Sequence, residues 1–466
     1  MGGRLSALDD SFLAVESANA HMHVGWASTF RPPEDGPAPS FAELRDHIAG
    51  RLCRTPRYRQ RIARVPMGLN APIWVDDEDF DVDRHVVQSN ATSLAELVDS
   101  CMSRQLPRDR PLWQMCIAER LDDGRIAVIG KAHHCMVDGI AAVELASLLL
   151  DPTPIPPPAE HDGWQPRSSP GAARRLLGGV VDRFVEEASL ARLAARIPRS
   201  PGHVAELLEH AGRVGKALAH SMRPAEPVEP VNQPITGARH LAWFSRPLID
   251  LKRIGRPFGA SVNDVLLAAS AGGMRRFLRD RDREPRPLKT MVPVNVREGD
   301  ATELGNRISF VFVDLPCDEP DPLRRLQNIR LEMSDRKEQG MPEGGDAAMA
   351  AIRYMPRTAQ HAVSRRIASP RTFNLTVSNI PGPRAPMYMR GCELEAAYPV
   401  VPIAKEHAVS IGMTTVRDDA CFGLYAASEA LPDSDRLAEA VNYSIDELLE
   451  VATEDWVTSA PVAWQA

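Results

Sequence analysis

The chain has 466 residues, of which 44% are hydrophobic and 25% are charged, and its formal net charge is −7. This is an ordinary globular composition, so collagen-like, disordered and small disulfide-stapled proteins are excluded. The negative net charge also argues against a protein that binds nucleic acid, since such proteins usually carry an excess of basic residues. At roughly 150 residues per domain, the length predicts two or three domains.

Two proline-rich segments divide the chain. Seven prolines lie between Asp151 and Pro170 and four between Arg223 and Pro234, which disfavours helices and central strands there. Residues 1–150 and 236–466 alternate strand and helix patterns, which predicts an α/β fold built as two tandem α+β sandwiches. Within the linker, 151–235, an amphipathic pattern over 171–222 is interpreted either as a helical crossover packed on the protein or as a helix lying on a lipid surface.

Cysteine usage and hydropathy predict a compartment. The seven cysteines form no CxxC pair, which is typical of reduced thiols in the cytosol. The N-terminus lacks the apolar core of a secretory signal, and no apolar run reaches the ~18 residues that span a bilayer. We therefore expect a cytoplasmic protein without a transmembrane helix, any contact of which with a membrane is peripheral.

Local signals place elements in the N-terminal part. Ser40 with Glu43, and Ser93 with Glu96, fit capping boxes, and the second helix is predicted to run to about residue 106. Two strand-like runs flank the turn 122–124, which indicates a β-hairpin. The second run ends at His133, and a helix is predicted over 139–150.

The C-terminal part continues the alternation. A helix is predicted from Ser261, with further helices near 321–339, 346–367 and 434–449. Strands are predicted over 241–246, 290–297, 307–315 and 372–379, and a hairpin over 408–428.

The segment HHCMVDG, residues 133–139, is the sharpest feature. Polar side chains on a strand-to-helix turn usually face a cleft, and histidine accepts a proton near neutral pH. Asp138 is suited to hold the loop through backbone amides or an arginine, and Gly139 to a close backbone approach or positive φ. No HExxH motif or second ligand pair accompanies the histidines, so no metal site is predicted. Cys135 next to the base suggests a nucleophile, but no accompanying motif supports that role.

HHCMVDG resembles the HHxxxDG motif of acyl-CoA-dependent acyltransferases and condensation domains. Further segments resemble one branch, the bacterial wax ester synthase/acyl-CoA:diacylglycerol acyltransferase family, and they occur in the family's order along essentially the whole chain. They are LSALDDSFL (5–13), HMHVG (21–25), PLW (111–113), SVNDV (261–265), PVNVR (293–297), LGN (304–306) and SNIPGP (378–383).

The resemblance implies two tandem coenzyme-A-dependent acyltransferase-like domains joined by a helical crossover, with the histidine between them. It implies acyl transfer from acyl-CoA, a substrate rather than a cofactor, to diacylglycerol or to a long-chain alcohol. It also implies peripheral association with the inner membrane face or with lipid droplets. His134 would be the general base, while Asp138 would orient the loop and His133 would support it.

The second domain supplies candidates for contact with the substrate or its oxyanion. Asn263, Thr376 and Ser378 are candidate oxyanion donors. Asp264 is either a substrate residue or the capping partner of Ser261. Beyond these, Asn295 and Arg297 either bind substrate or fix a turn, and Arg297 is also a candidate partner of Asp138. The motif 111–113 is expected to bury its tryptophan beneath the histidine loop.

Two other functions share these residues. A condensation-type enzyme would use the same base on acyl groups carried by a carrier protein, and a non-catalytic relative would bind or coat lipid. The oligomeric state and the choice between diacylglycerol and fatty alcohol are not predicted by any residue.

Overall fold

A computed structural model describes residues 3–136, 148–158, 163–181, 223–295, 308–338, 355 and 357–459. The described strands are β1 His23–Arg31, β2 Gln60–Ala63, β3 Ile73–Asp76, β4 Val86–Gln88, β5 Trp113–Ala118, β6 Ile126–His133, β7 Arg239–Pro247, β8 Leu288–Asn295, β9 Ile308–Leu315, β10 Leu375–Ile380, β11 Tyr388–Met389, β12 Cys392–Val400, β13 Val409–Val416 and β14 Asp419–Ala427. The described helices are α1 Ala7–Val15, α2 Phe41–Ala49, α3 Leu94–Met102, α4 172–181, α5 Leu248–Gly255, α6 Val262–Arg279, α7 Pro322–Glu338, α8 Arg357–Ile367 and α9 Ser434–Ser459.

The strands form two six-stranded sheets and one small ribbon. The first sheet has the order β11-β12-β1-β6-β5-β4, the second has the order β7-β14-β13-β10-β8-β9, and β2 pairs with β3. Each large sheet has its own cluster of buried apolar side chains. This mixed α/β architecture with two sheets confirms the predicted fold class.

The first sheet includes chain from far along the sequence. Strand β1 pairs antiparallel with β6 on one side and with β12 on the other, so that Gly25 faces Val400 and His23 faces His133. Strands β11 and β12 therefore join the sheet that carries the histidine turn, although they lie within 236–466. The domain boundaries at residues 150 and 235 stay a prediction.

In the second sheet, β10 runs parallel to both β8 and β13. Helix α6 is apolar on most of its surface and packs against α7 and α9, which explains why its residues from 264 to 274 are buried without interruption. Packing of this kind fixes where α6 begins, next to the ends of β10 and β13.

The serine caps form as the sequence predicts. Ser40 and Ser261 each accept a backbone N–H while the carboxylate three residues later accepts the cap N–H, which is a capping box. Ser93 also caps α3, but this helix ends at Met102 rather than near residue 106. The closing helix runs past residue 449 to Ser459. The hairpin of β5 and β6 also forms, and its turn contains Gly124 at φ 83°.

Candidate active site

The histidine turn begins where β6 ends. Every residue of β6 is buried, and the chain turns directly after His133. The backbone N–H of His133 donates to Leu112 O at 2.9 Å, and that of His134 donates to Met22 O at 2.9 Å. Two segments singled out in the sequence, 111–113 and 21–25, therefore hold the turn through their backbone carbonyls.

The ring of His133 makes a hydrogen bond within the turn. Its Nδ1 accepts the backbone N–H of Cys135 at 3.1 Å, so the neutral ring carries its proton on Nε2, which lies 3.6 Å from Glu16 Oε1. The side chain is fully buried, and this burial lowers its pKa well below the ordinary histidine value. These contacts agree with a supporting role for His133.

The ring of His134 lies against Phe12 of α1. The two rings stack with centroids 3.7 Å apart and an interplanar angle of 11°. The residue is partly exposed, but its Nδ1 atom is buried and makes no hydrogen bond with any other described residue. Desolvation lowers the pKa of His134 to about 4, so the imidazole is neutral at neutral pH. A neutral imidazole is the form that accepts a proton.

The thiol next to His134 is buried. Cys135 is 2% exposed, and burial raises the pKa of its thiol well above the ordinary value. A thiol that stays protonated is a poor nucleophile, which argues against covalent catalysis by Cys135.

Several predicted site residues lie outside the described part of the chain. Asp138, Gly139 and Arg297 belong to this group, as does most of the predicted helix 139–150. Of Asn295 only the backbone is described, at the end of β8 opposite Ile308.

Trp113 is buried, as predicted, and pairs with Ala132 of β6. Its side chain is 1% exposed, and its Nε1 donates to Tyr58 O at 2.8 Å. The indole stacks on His85, whose Nδ1 contacts Trp113 O at 2.9 Å. Trp113 is thus a packing residue on the strand next to the one that precedes the histidines.

The candidates from the second sheet have different environments. The carboxylate of Asp264 accepts Ser261 N and Ser261 Oγ, both at 2.7 Å, so this carboxylate is occupied by the cap. Thr376 and Ser378 are nearly buried on β10, and Asn263 is partly exposed in the first turn of α6. Within the described ranges, no hydrogen bond connects any of these four to His134.

A half-open cavity of about 260 Å³ lies where β10 and β13 end and α6 begins. Its lining includes Asn379, Thr415 and Val262, and the two cations Lys252 and Arg384. Three residues of the sequence motif 378–383, Asn379, Pro381 and Gly382, therefore line an open pocket.

The described residues contain neither a helix that could span a membrane nor a cluster of metal-ligating side chains. In that part of the chain, no helix is both long enough and apolar enough to cross a membrane. Nor do three or more histidine, cysteine or acidic side chains gather there as a set of metal ligands.

Sequence reasoning missed two residues of the site. Asp10 and Phe12 lie in the motif 5–13, which was used for the resemblance without a role for any of its side chains. The signal available in the sequence was an acidic pair, Asp9 and Asp10, between apolar residues of a short helical segment. The structure shows that Asp10 is 1% exposed.

Comparison with solved structures identifies the class of fold. A wax ester synthase/diacylglycerol acyltransferase from Marinobacter aquaeolei superposes with a TM-score of 0.69 at 26% identity, covering 97% of this chain and 99% of that one. The first condensation domain of the calcium-dependent antibiotic synthetase superposes with a TM-score of 0.57 at 17% identity, covering 100% and 98%. The fold is therefore the one that these acyltransferases and condensation domains share.

The sequence matches are more specific. Residues 5–266 match the wax ester synthase/diacylglycerol acyltransferase catalytic domain, and residues 304–449 match the C-terminal domain of the same family. A probable diacylglycerol O-acyltransferase of Mycobacterium tuberculosis, tgs1, is 32% identical over 465 residues, which cover 97% of each chain. The chain belongs to the wax ester synthase/diacylglycerol acyltransferase family and is an acyltransferase. This confirms the resemblance seen in the sequence.

Proposed function

We propose that the protein transfers a long-chain acyl group from acyl-CoA to the hydroxyl of diacylglycerol, or to a long-chain alcohol, with His134 as the general base. The observation that carries this proposal is the desolvated, neutral imidazole of His134 at the end of β6, held by Met22 O and stacked on Phe12. The relative from M. tuberculosis described as a diacylglycerol O-acyltransferase favours this acceptor.

The proton balance of the reaction needs one base. Nε2 of His134 takes the proton of the acceptor hydroxyl as its oxygen attacks the thioester carbonyl, since Nδ1 is buried. When the tetrahedral intermediate collapses, the C–S bond breaks and the same nitrogen returns the proton to the thiolate of coenzyme A. No acyl-enzyme is needed because a thioester is already activated, which agrees with the protonated thiol of Cys135.

The intermediate also needs donors for its oxyanion. We propose Asn263, Thr376 and Ser378 for this role, in that their side chains carry donors and two of them lie on β10 next to the open cavity. Asp264 is assigned to the cap of α6 instead. Asp138 and Gly139 are proposed to shape the histidine loop, and Asn295 and Arg297 stay candidates for binding substrate.

We test the reaction with purified protein, labelled palmitoyl-CoA and either dioleoylglycerol or hexadecanol, following free coenzyme A and the labelled ester. Wild type is expected to form ester, and His134→Ala to lose at least a hundredfold in kcat. His407→Ala is the matched control, because His407 is buried but bonds backbone carbonyls near Phe373. Acyl transfer only from a carrier protein, or lipid binding without turnover, would contradict the proposal.

We also propose that the protein works at a lipid surface, where its acceptor resides. Apolar side chains are exposed on α4 and on the turn Pro66–Gly68, which precedes β3. Met67 is 80% exposed, Leu177 67% and Val181 58%. Asn70 Nδ2 donates to Gly179 O at 3.3 Å, which brings the turn and the helix together. Flotation with phosphatidylglycerol vesicles should weaken in Leu177→Asp with Val181→Asp, and unchanged flotation would contradict this surface.

A further inference from the structure

A buried ion pair connects α1 to α8. The carboxylate of Asp10 is 1% exposed and accepts Arg357 Nε at 2.6 Å, Arg357 Nη2 at 2.8 Å and His361 Nε2 at 2.8 Å. Burial alone would raise the pKa of Asp10, but these hydrogen bonds outweigh it and hold the pKa below the ordinary value. Asp10 is therefore ionised, and a two-point contact with a planar guanidinium fixes its orientation.

The same helix carries the ring that covers the base. Phe12 follows Asp10 by two residues and stacks on His134 at 3.7 Å. Arg365 Nε also donates to Ala14 O at 3.0 Å, so α8 contacts α1 along its length. At the far end of α1, Glu16 pairs with Arg108 and accepts Gln105 Nε2 at 2.8 Å.

From this arrangement we infer that Asp10 and Arg357 are positioning residues for the reaction, which act by holding Phe12 of α1 against the ring of His134. The inference rests on the proposed role of His134 as the base. Asp10 touches neither substrate nor the reacting atoms, so its effect passes through the helix and the stacked ring.

The packed ring restricts the base in two ways. It restricts the orientation of the imidazole, and misplacing a catalytic group by about 1 Å can cost on the order of a hundredfold in rate. It also keeps water from one face of His134, which contributes to the low pKa of that ring. The elements packed around His134 carry several charged or titratable groups. These are Asp9 and Asp10 on α1, Arg357 and His361 on α8, and His133, Glu16 and Arg108 near the histidine turn.

Loss of the ion pair should therefore change the base itself. In Asp10→Asn and in Arg357→Gln, α1 is released, Phe12 leaves the ring and water reaches His134. We expect kcat to fall about tenfold to a hundredfold while KM for acyl-CoA changes less than threefold. The pKa of His134 should rise towards 6.5, which moves the acid limb of the kcat/KM profile to higher pH. Phe12→Leu should reproduce the effect and Phe12→Tyr should largely restore wild-type behaviour.

The control is a similar ion pair elsewhere. Asp151 and Arg51 lie 2.8 Å apart with side chains 2% and 4% exposed, so this pair is more fully buried than that of Asp10 and Arg357, whose arginine side chain is 26% exposed. It connects the segment after α2 to the start of the linker. Asp151→Asn should therefore lower thermal stability at least as much as Asp10→Asn does, and leave the pH profile unchanged.

The deciding measurement is the titration of His134 by NMR on the full chain with isotope-labelled histidine, assigned with His134→Gln. A raised pKa of His134 in Asp10→Asn and Arg357→Gln, but not in Asp151→Asn, supports the inference. Wild-type titration and pH profile in both variants, with reduced stability only, would overturn it. This titration does not depend on turnover, so it tests the positioning role of Asp10 and Arg357 by itself. The role of His134 as the base is tested separately, by the activity of His134→Ala.

Discussion

His134 donates its backbone N–H to the carbonyl of Met22 at 2.9 Å, and Met22 itself has a φ of 49°. This left-handed conformation is unfavourable for a residue with a side chain, at roughly 1–2 kcal/mol. The strained residue lies just before β1 and directs its carbonyl to the turn, so part of the folding energy is used to orient the proposed base.

The activity should depend on pH in a way set by the low pKa of His134. With a pKa near 4, the imidazole becomes protonated, and the base is lost, only as the pH falls well below 6.5. We therefore expect kcat/KM in the wild type to stay constant from pH 8 to about 5 and to fall as the pH approaches 4. A profile of kcat/KM with an acid limb at pH 6.5 or above, as for an ordinary solvated histidine, would contradict a desolvated imidazole as the proposed base.

The stability of the fold should also fall in mild acid. Burial lowers the pKa values of His47 and His85 to about 4, and the unfolded chain binds these protons near pH 6.5. The unfolded state then binds more protons between pH 6.5 and 4, so the free energy of unfolding decreases as the pH falls through this window. Urea titrations at pH 7 and 5 measure the decrease. His85→Phe should reduce the difference between the two pH values, and an unchanged difference would contradict a neutral, buried His85.

The capping role of Asp264 predicts an effect of this residue on stability rather than on activity. Ser261→Ala and Asp264→Ala should each cost about 1 kcal/mol of stability, and the double variant less than the sum because the two side chains form one capping box. Thermal denaturation measures these costs, and the kcat of each variant should stay within about threefold of wild type. If Asp264→Ala lost activity while Ser261→Ala kept it, the carboxylate would have a second role at the substrate.

The packing role of Trp113 predicts a large loss of stability. Trp113→Ala removes a buried indole and its hydrogen bond to Tyr58 O, which should cost about 3–5 kcal/mol. Trp243→Ala is the control, because Trp243 is only partly buried and should cost clearly less. Chemical denaturation of the two variants tests the ranking, and equal costs would show that Trp113 is not a main packing residue of the first sheet.

The thiol of Cys135 should be dispensable for chemistry. Cys135→Ala keeps the backbone N–H that His133 Nδ1 accepts, so we expect kcat within about threefold of wild type. In the native protein, iodoacetamide should not modify Cys135, since the buried thiol is protonated. Mass spectrometry after alkylation checks this, and rapid labelling with loss of activity would revive the nucleophile hypothesis.

Local chemistry determined a large part of this protein before any contact was known. The serine caps at 40, 93 and 261, the hairpin turn at 122–124 and the histidine turn all depend on residues within a few positions of each other. The residues that form such a cap or turn are close together in the sequence, so the sequence predicts it directly. The order of the motifs along the chain likewise indicated the family without any tertiary contact.

The tertiary structure alone decided which distant segments meet. Nothing local in 392–400 shows that this strand pairs with β1, and no spacing indicates that Arg357 reaches Asp10 or that Phe12 covers His134. Many strands and charged helices share the same patterns, and the choice among partners comes from packing the whole chain at once. The sequence thus indicated the candidate base and its turn, while the fold decided what surrounds them.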